Sequence, residues 1–337
     1  MQINVSIYLL TVNNIALPST FDAKFLLELS WKDYRLMFQD LNEVNILNDK
    51  ARESIWIPPL VFSNTENNEI LKNDEKTIVS ILKIGQPMFK NHKELHEAAI
   101  FNGNENIISY HREYQRKIVC NYDLKMYPFD RQICTIDVEI PTLLQPYIDV
   151  VPQGTGNLGF NELDQFIITK TEIAVTKNNS LIQCKVFMKR LPWHHITATY
   201  IPVACVMFMA LITLYIDQSH FDAIIMVSLT CMLVMYTLFQ SIADTMPTTA
   251  YLKLLDYWLI FGMILPFVVF SVLVIWELMD EKRKRNAIFT LNKKPLHIFY
   301  QTNASSEKSV LRHAKWILPT ITVIFIIGYI MVVVSVL

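Results

Sequence analysis

Ala223–Ala243 reads AIIMVSLTCMLVMYTLFQSIA, an uncharged stretch flanked by Asp222 and Asp244. A helix crosses a bilayer with ~20 apolar residues, so this run is long enough to span one. Three others match it, roughly Ile196–Ile216, Leu254–Met279 and Trp316–Leu337. One such run could be a buried helix of a globular protein, but four in series mark a membrane half. Within the quoted run a second pattern is superposed. Asp222, Met226, Thr230, Leu233, Thr237, Gln240 or Ser241, and Asp244 recur every three or four residues, which is one face of a helix. A polar stripe on a membrane helix is either a helix–helix contact or a wall facing water. Asp222 and Asp244 are separated by ~33 Å along a helix, about the hydrocarbon thickness.

The charges around these runs set an orientation. The segment between the third and fourth, about 280–312, holds Lys282, Arg283, Lys284, Arg285, Lys293, Lys294, Lys308 and Arg312, with Lys315 just beyond, against Asp280, Glu281 and Glu307. Such an excess of bases belongs in the cytoplasm. Both termini are then extracellular, and the chain is a multi-pass plasma-membrane protein. Gln2–Leu10 shows neither a basic start nor a long apolar stretch, so no cleavable signal is visible, and the expectation is a mature form. About 30 cytoplasmic residues are too few for a large folded domain.

Upstream, residues 1–191 have a different texture from 192–337. Val5, Ile7 and Leu9 alternate, as do Phe25, Leu27, Leu29 and Trp31, and again Ile182, Cys184, Val186 and Met188. Period two means half-buried strands. Turn clusters such as Asn102-Gly103-Asn104 and Lys177–Ser180 separate them, and many short strands with such breaks predict an antiparallel sandwich. Cys120 and Cys134 lie in this half, where an oxidising compartment would let them bridge. Cys205 and Cys231 lie in apolar spans as packing residues, and Cys184 has no obvious partner. Asn4 and Asn178 begin glycosylation sequons on the extracellular side.

At 52% hydrophobic and 18% charged, the chain is greasy for a soluble protein, and a net charge of −1 argues against a nucleic-acid partner. No nucleophile–base pair, phosphate loop or cofactor motif is present, so neither an enzyme nor a cofactor is expected. His92 and His96, beside Glu94 and Glu97, have metal-ligand spacing if helical. A plain surface segment is the favoured reading of the same residues, a metal or proton sensor the alternative.

Cys120-Asn-Tyr-Asp-Leu-Lys-Met-Tyr-Pro-Phe-Asp-Arg-Gln-Ile-Cys134 resembles the signature loop of the Cys-loop receptors, pentameric ligand-gated ion channels, in its spacing and in its core Tyr127-Pro128-Phe129-Asp130. Trp31-Lys-Asp-Tyr-Arg35-Leu36 is similar to that family's early strand motif. Trp56-Ile-Pro58 with Phe62 and Asn64 is similar to the next, with Pro59 where the family has Asp. Arg190 and Tyr200-Ile201-Pro202 resemble the entry to the first span. Pro247, Tyr251, Lys253 and Asp256 resemble the link into the third.

The resemblance implies an extracellular ligand-binding β-sandwich followed by a four-helix transmembrane bundle, five subunits forming a ring. The second helix would line the pore, with Leu233 as its mid-pore gate and Met226 a second constriction, because a narrow apolar ring loses its water and stops ions. Tyr127, Pro128, Phe129, Asp130, Arg190, Pro247 and Lys253 would couple ligand binding to that gate, and Pro128 is a candidate for a cis bond. Identical or homologous subunits, membrane lipid and an unidentified small-molecule or ionic agonist are the partners implied.

Two features depart from the family. Carboxylate rings at Asp222 and Asp244 favour cations, yet Asp222-Ala223-Ile224 fits neither the usual cation nor the usual anion pattern, and Asp222 could instead cap its helix. Leu26, Ser63 and Pro141 stand where the family's aromatic agonist box has rings, which suggests an invertebrate member with a divergent site. Tyr110, Tyr114 and Arg116 share a strand that would either face that pocket or pack internally. A non-conducting accessory subunit and an anion channel remain alternatives to a cation channel.

Overall fold

The computed structural model describes residues 1–16, 19–65, 76–88, 99–176, 180–216, 220–246, 248–291 and 299–336. The chain forms two compact units. One comprises Met1–Asp123 with Arg131–Arg190, the other Leu124–Asp130 with Leu191–Leu337. The short stretch Leu124–Asp130 thus leaves the strands around it and belongs with the helices.

The first unit is built of strands. In chain order these are β1 (Gln2–Ala16), β2 (Thr20–Trp31), β3 (Met37–Gln39), β4 (Val44–Ile46), a short helix α1 (Asp49–Ser54), β5 (Val61–Phe62), β6 (Ile78–Leu82), β7 (Ile100–Asn102), β8 (Ile107–Val119), β9 (Arg131–Glu139), β10 (Asp149–Asn157), β11 (Phe166–Thr176) and β12 (Leu181–Arg190). They make a six-stranded sheet ordered β10-β1-β2-β8-β6-β4, a four-stranded sheet β11-β12-β9-β5 and the small pair β3-β7. The alternation in β2 is followed without exception, every second residue from Phe21 to Trp31 being buried. Burial of that row on a period of two leaves one face for the core.

Aromatic rings join the two large sheets. Phe25 of β2 meets Phe62 of β5 edge-on at 5.6 Å, and Tyr114 of β8 meets the same ring at 5.0 Å. The Cys120–Cys134 disulfide ties the end of β8, in the larger sheet, to β9 in the smaller. The sandwich is not wholly antiparallel, as the strand pattern suggested. β1 and β10 pair in parallel, with a register shift between Val5 and Ser6. Alternation reports which face is buried and carries no information on strand direction.

Among the described residues, the second unit holds four helices long and apolar enough to cross a membrane, Trp193–Thr213, Phe221–Thr245, Leu254–Lys282 and Val310–Ser335. The first is composite: α2 (Trp193–His195), a π turn (Ile196–Tyr200) and α3 (Ile201–Thr213). Pro202 sits in the first turn of α3, directly after the π turn, and having no N–H it leaves one preceding carbonyl of the composite helix without its helical donor. The others are α4 (Phe221–Thr245), α5 (Leu254–Leu291) and α6 (Phe299–Val336). Both long helices run past the spans expected from hydropathy into the basic segment, because Lys, Arg and Glu favour helix as readily as the apolar residues do.

At one end Leu214, Ile224, Leu273, Trp276, Leu311 and Leu318 form a shared core. Midway, Gly262 lets three helices close up. A Cβ there would stand 2.8 Å from Val203 Cγ1 and 2.9 Å from Met235 Cε. The start of α5 carries half of a capping box, the Asp256 carboxylate accepting the Lys253 backbone N–H at 2.8 Å.

A candidate pore face and loop junction

α4 presents two faces. Ile224, Ser228, Cys231 and Met235 are buried, at spacings of four, three and four. The remaining circumference is half-buried or exposed, and Asp222, Met226, Thr230, Leu233, Thr237, Gln240, Ser241 and Asp244 are all exposed. Met226 and Leu233 are 66% and 64% exposed, although both are large and apolar. Thr230 donates its hydroxyl to the Met226 carbonyl at 2.7 Å, and Thr237 to that of Val234 at 2.9 Å. Each proton is spent on the helix itself, and the oxygen lone pairs stay available on the open side. Gln240 Nε2 donates to Tyr236 Oη at 3.1 Å. Asp222 does not cap the helix. His220 holds the N-cap position, and Asp222 lies in the first turn, where a carboxylate complements the helix dipole.

Leu124–Asp130 packs among the helices of its own unit. Its Tyr127–Pro128 bond is cis. Leu124 donates its amide to Tyr251 Oη at 3.0 Å. The Lys125 carbonyl accepts from the Leu254 amide at 2.8 Å, and the Tyr127 carbonyl from that of Leu255 at 3.2 Å. The loop thus occupies the otherwise unsatisfied first donors of α5. Tyr127 Oη lies 2.9 Å from His195 Nε2, with the rings edge-on at 4.9 Å. Phe129 approaches Tyr200 at 6.1 Å. Tyr200 in turn shares a hydroxyl–hydroxyl bond of 2.6 Å with Tyr329, and Trp258 packs on both rings. Asp130 and Lys253 are buried.

His195 and Tyr329 are contributors that motif reading missed, whereas Tyr251, quoted there as part of the link motif, accepts the Leu124 amide. His194-His195 reads as an interfacial pair, yet His195 engages the loop. Nothing in the sequence around Tyr329 distinguishes it from neighbouring apolar residues. In the strand unit, Arg190 is buried with its guanidinium 4.3 Å from the Phe166 ring.

The agonist-site candidates divide. Tyr110 and Tyr114 lie inside the sandwich, 0% and 2% exposed. Their hydroxyls are 2.8 Å apart, and Tyr114 stacks on Phe25. Arg112 and Arg116 place guanidinium carbons 4.6 and 5.6 Å from the Tyr114 ring. Burial pushes the Tyr114 hydroxyl well above its ordinary pKa. Tyr110 and Tyr114 pack the core and offer a ligand no surface, whereas Arg116 is half-buried. Leu26 points to the other side of the same sheet, Ser63 is exposed, and Pro141 is half-buried.

Asn4 is not on a loop. It sits within β1, opposite Ser30 on one side and Val151 on the other. Cys184 is free and buried, and burial raises its thiol pKa although Thr155 lies 3.6 Å away. His92, His96, Asn178 and Pro247 lie outside the described residues. Among the described residues no cluster of three or more metal-ligating side chains forms.

A disulfide-bridged sandwich followed by four membrane-spanning helices is the fold of a Cys-loop receptor subunit. Residues 1–199 match the family described as the neurotransmitter-gated ion-channel ligand binding domain, and the chain belongs to that family, whose members are receptors and channels and not enzymes. It is similar to gamma-aminobutyric acid receptor subunit beta-4 of Gallus gallus, 20% identical over 270 residues, covering 77% of this chain and 51% of that one. It is likewise similar to subunit rho-1 of Homo sapiens, 24% identical over 255 residues, covering 72% of this chain and 49% of that one. The chain spans about half the length of the relatives it matches.

Proposed function

We propose that this chain is a subunit of a pentameric ligand-gated ion channel in which α4 lines the pore. The observation that carries the reading is the open face of α4, where Met226 and Leu233 and six polar side chains stand exposed against a buried opposite face. Five copies around an axis turn each residue into a ring. Leu233 and Met226 form apolar constrictions that gate by dewetting, and Asp222 and Asp244 place carboxylates at the two mouths. Thr230 and Thr237 offer lone pairs, which suit a hydrated cation, so the pore is read as cation-selective. The likeness to gamma-aminobutyric acid receptor subunits favours the opposite sign. The sandwich and both termini lie outside the cell, and the loop Leu124–Asp130 passes ligand binding on to α4 and α5.

The test is voltage-clamp recording from cells expressing this chain alone, wild type beside Leu233→Thr. A panel of gamma-aminobutyric acid, other amino acids, amines, Zn²⁺ and acid pH is applied. A standing current in the variant supports a pore made by this chain, and its reversal potential gives the ion sign. Silence of both at normal surface expression sinks the homomeric pore. It would favour a second reading, an accessory subunit completed by partners, which the buried Tyr110 and Tyr114 and the lack of rings at Leu26, Ser63 and Pro141 support.

A further inference from the structure

Met226 and Leu233 both stand on the open side of α4, and only Met226 carries an atom that can ligate a metal. Successive residues of an α-helix lie ~100° apart around its axis. The buried residues of α4 are Ile224, Ser228, Cys231 and Met235. Counted from Met226 they fall at about 160°, 200°, 140° and 180°, a stripe centred at about 170°. Met226 therefore stands within about 10° of the opposite pole, and so does Leu233, seven residues on. Met226 points away from the side on which α4 is packed, and 66% of it is exposed.

An apolar constriction needs only bulk, which Leu233 supplies. Met226 adds a polarizable sulfur on a flexible, unbranched stem. Thioether sulfur is a poor ligand for hard cations and a good one for Cu(I) and its soft relatives. The neighbouring turns suit the approach of a cation. Asp222, ~6 Å along the axis in one direction, presents an exposed carboxylate. Thr230, one turn the other way, donates its proton to the Met226 carbonyl at 2.7 Å and keeps its lone pairs outward.

We propose that in the assembled ring the Met226 thioethers bind one soft monovalent cation, Cu(I) or Ag(I), which lodges on the axis and closes the pore. The ion enters past the Asp222 carboxylates and is held by sulfur from neighbouring subunits. No one chain can form this site, because each contributes a single thioether to it. The proposal rests on α4 lining a fivefold pore.

The probe is Ag⁺, which needs no reductant. The full chain is used with its free cysteines, Cys184, Cys205 and Cys231, replaced by alanine to remove competing thiols. Nitrate solutions are used throughout, because chloride precipitates silver. In excised patches carrying the Leu233→Thr current, micromolar Ag⁺ should block, and excess free methionine should reverse the block. Met226→Leu keeps the bulk and removes the sulfur, and it should raise the half-blocking concentration roughly tenfold or more. Equilibrium dialysis of the purified chain against Ag⁺ needs no current, with elution volume checking assembly. About one silver ion per five chains should be lost in Met226→Leu.

Equal block and equal silver uptake with and without Met226 overturn the proposal. So does a Met226-dependent uptake of one silver per chain, which would place the thioether outside a shared ring. Shared silver in a chain that passes no current keeps the site and sinks the conducting pore. A standing current that silver blocks equally with and without Met226 keeps the pore and sinks the site.

Discussion

Tyr215, just beyond the end of α3, donates its hydroxyl to the backbone carbonyl of Lys315 at 2.7 Å, and Lys315 stands four residues before Pro319 inside α6. In an unbroken helix that carbonyl would accept the amide of residue 319, but proline has no N–H to give. The tyrosine supplies the donor that proline withholds and thereby ties the end of α3 to α6. Lys315 completes the contact, its ammonium 5.8 Å from the Tyr215 ring. Tyr215→Phe should therefore cost about 0.5–1.5 kcal/mol. With Pro319→Ala in place the helix reclaims the carbonyl, and the same change should cost close to nothing. A double-mutant cycle on thermal unfolding of the detergent-solubilised chain reads the difference, and additive effects would refute the link.

The loop junction makes a more local prediction. Leu124 gives its amide to Tyr251 Oη, and Tyr251→Phe removes that acceptor while keeping the ring. Loss of a hydrogen bond worth about 1 kcal/mol should speed exchange of the Leu124 amide roughly fivefold, since exchange follows the local opening free energy. The Ile118 amide, within the β2–β8 ladder, should be unaffected. Equal acceleration at both positions would mean that the whole sandwich had loosened. No change at Leu124 would mean that the hydroxyl holds nothing.

How far these features could be read from the chain depends on what each leaves in the local pattern. The spans and the open stripe of α4 are periodic, and so legible from residue spacing alone. The sandwich was legible as alternation, but its parallel β1–β10 contact was not, because direction is decided by distant connections. Tyr110 and Tyr114 illustrate the same limit. Their spacing puts them on one face of β8, while the choice of the inner face comes from Phe62, about fifty residues away in the chain. The pairing of Tyr215 with Lys315 was hidden too. Pro319 signals an orphaned carbonyl, but only the helix arrangement shows which side chain reaches it.

Asp33 and Arg35 carry a pH prediction for the strand unit. The Arg35 guanidinium donates to Asp33 at 2.9 and 2.7 Å, and its backbone amide donates as well, at 3.0 Å. Hydrogen bonding from Arg35 holds the Asp33 carboxyl below its ordinary value of 3.8, against the opposing effect of burial. A carboxylate with a depressed folded pKa stabilises the fold above its unfolded pKa, and the benefit disappears as pH falls through the folded value. Arg35 is 54% exposed, so solvent screening reduces the gain. Melts of the wild type should weaken below pH 3.8 more steeply than those of Asp33→Asn, and the variant should be the less stable at pH 7. Parallel pH profiles for the two would exclude the pair as the source.

Asp222 and Asp244 sit at opposite ends of α4, and their local energetics have opposite signs. In the first turn a carboxylate complements the helix dipole, whereas next to the last residue, Thr245, it opposes the dipole, each by about 0.3–1 kcal/mol. On stability alone Asp222→Asn should be destabilising and Asp244→Asn stabilising by that amount. A pore role makes a different prediction, because each substitution removes a ring of carboxylates from one mouth of the channel. Both should then lower cation preference, by roughly threefold to tenfold in permeability ratio, a barrier change of about 0.7–1.4 kcal/mol. Bi-ionic reversal potentials in the Leu233→Thr background, set beside thermal melts of the same variants, separate the two effects. Shifts of the same sign with stability changes of opposite sign are expected. An unchanged reversal potential in both would remove the carboxylates from the ion path and leave Asp222 a helix-dipole partner alone.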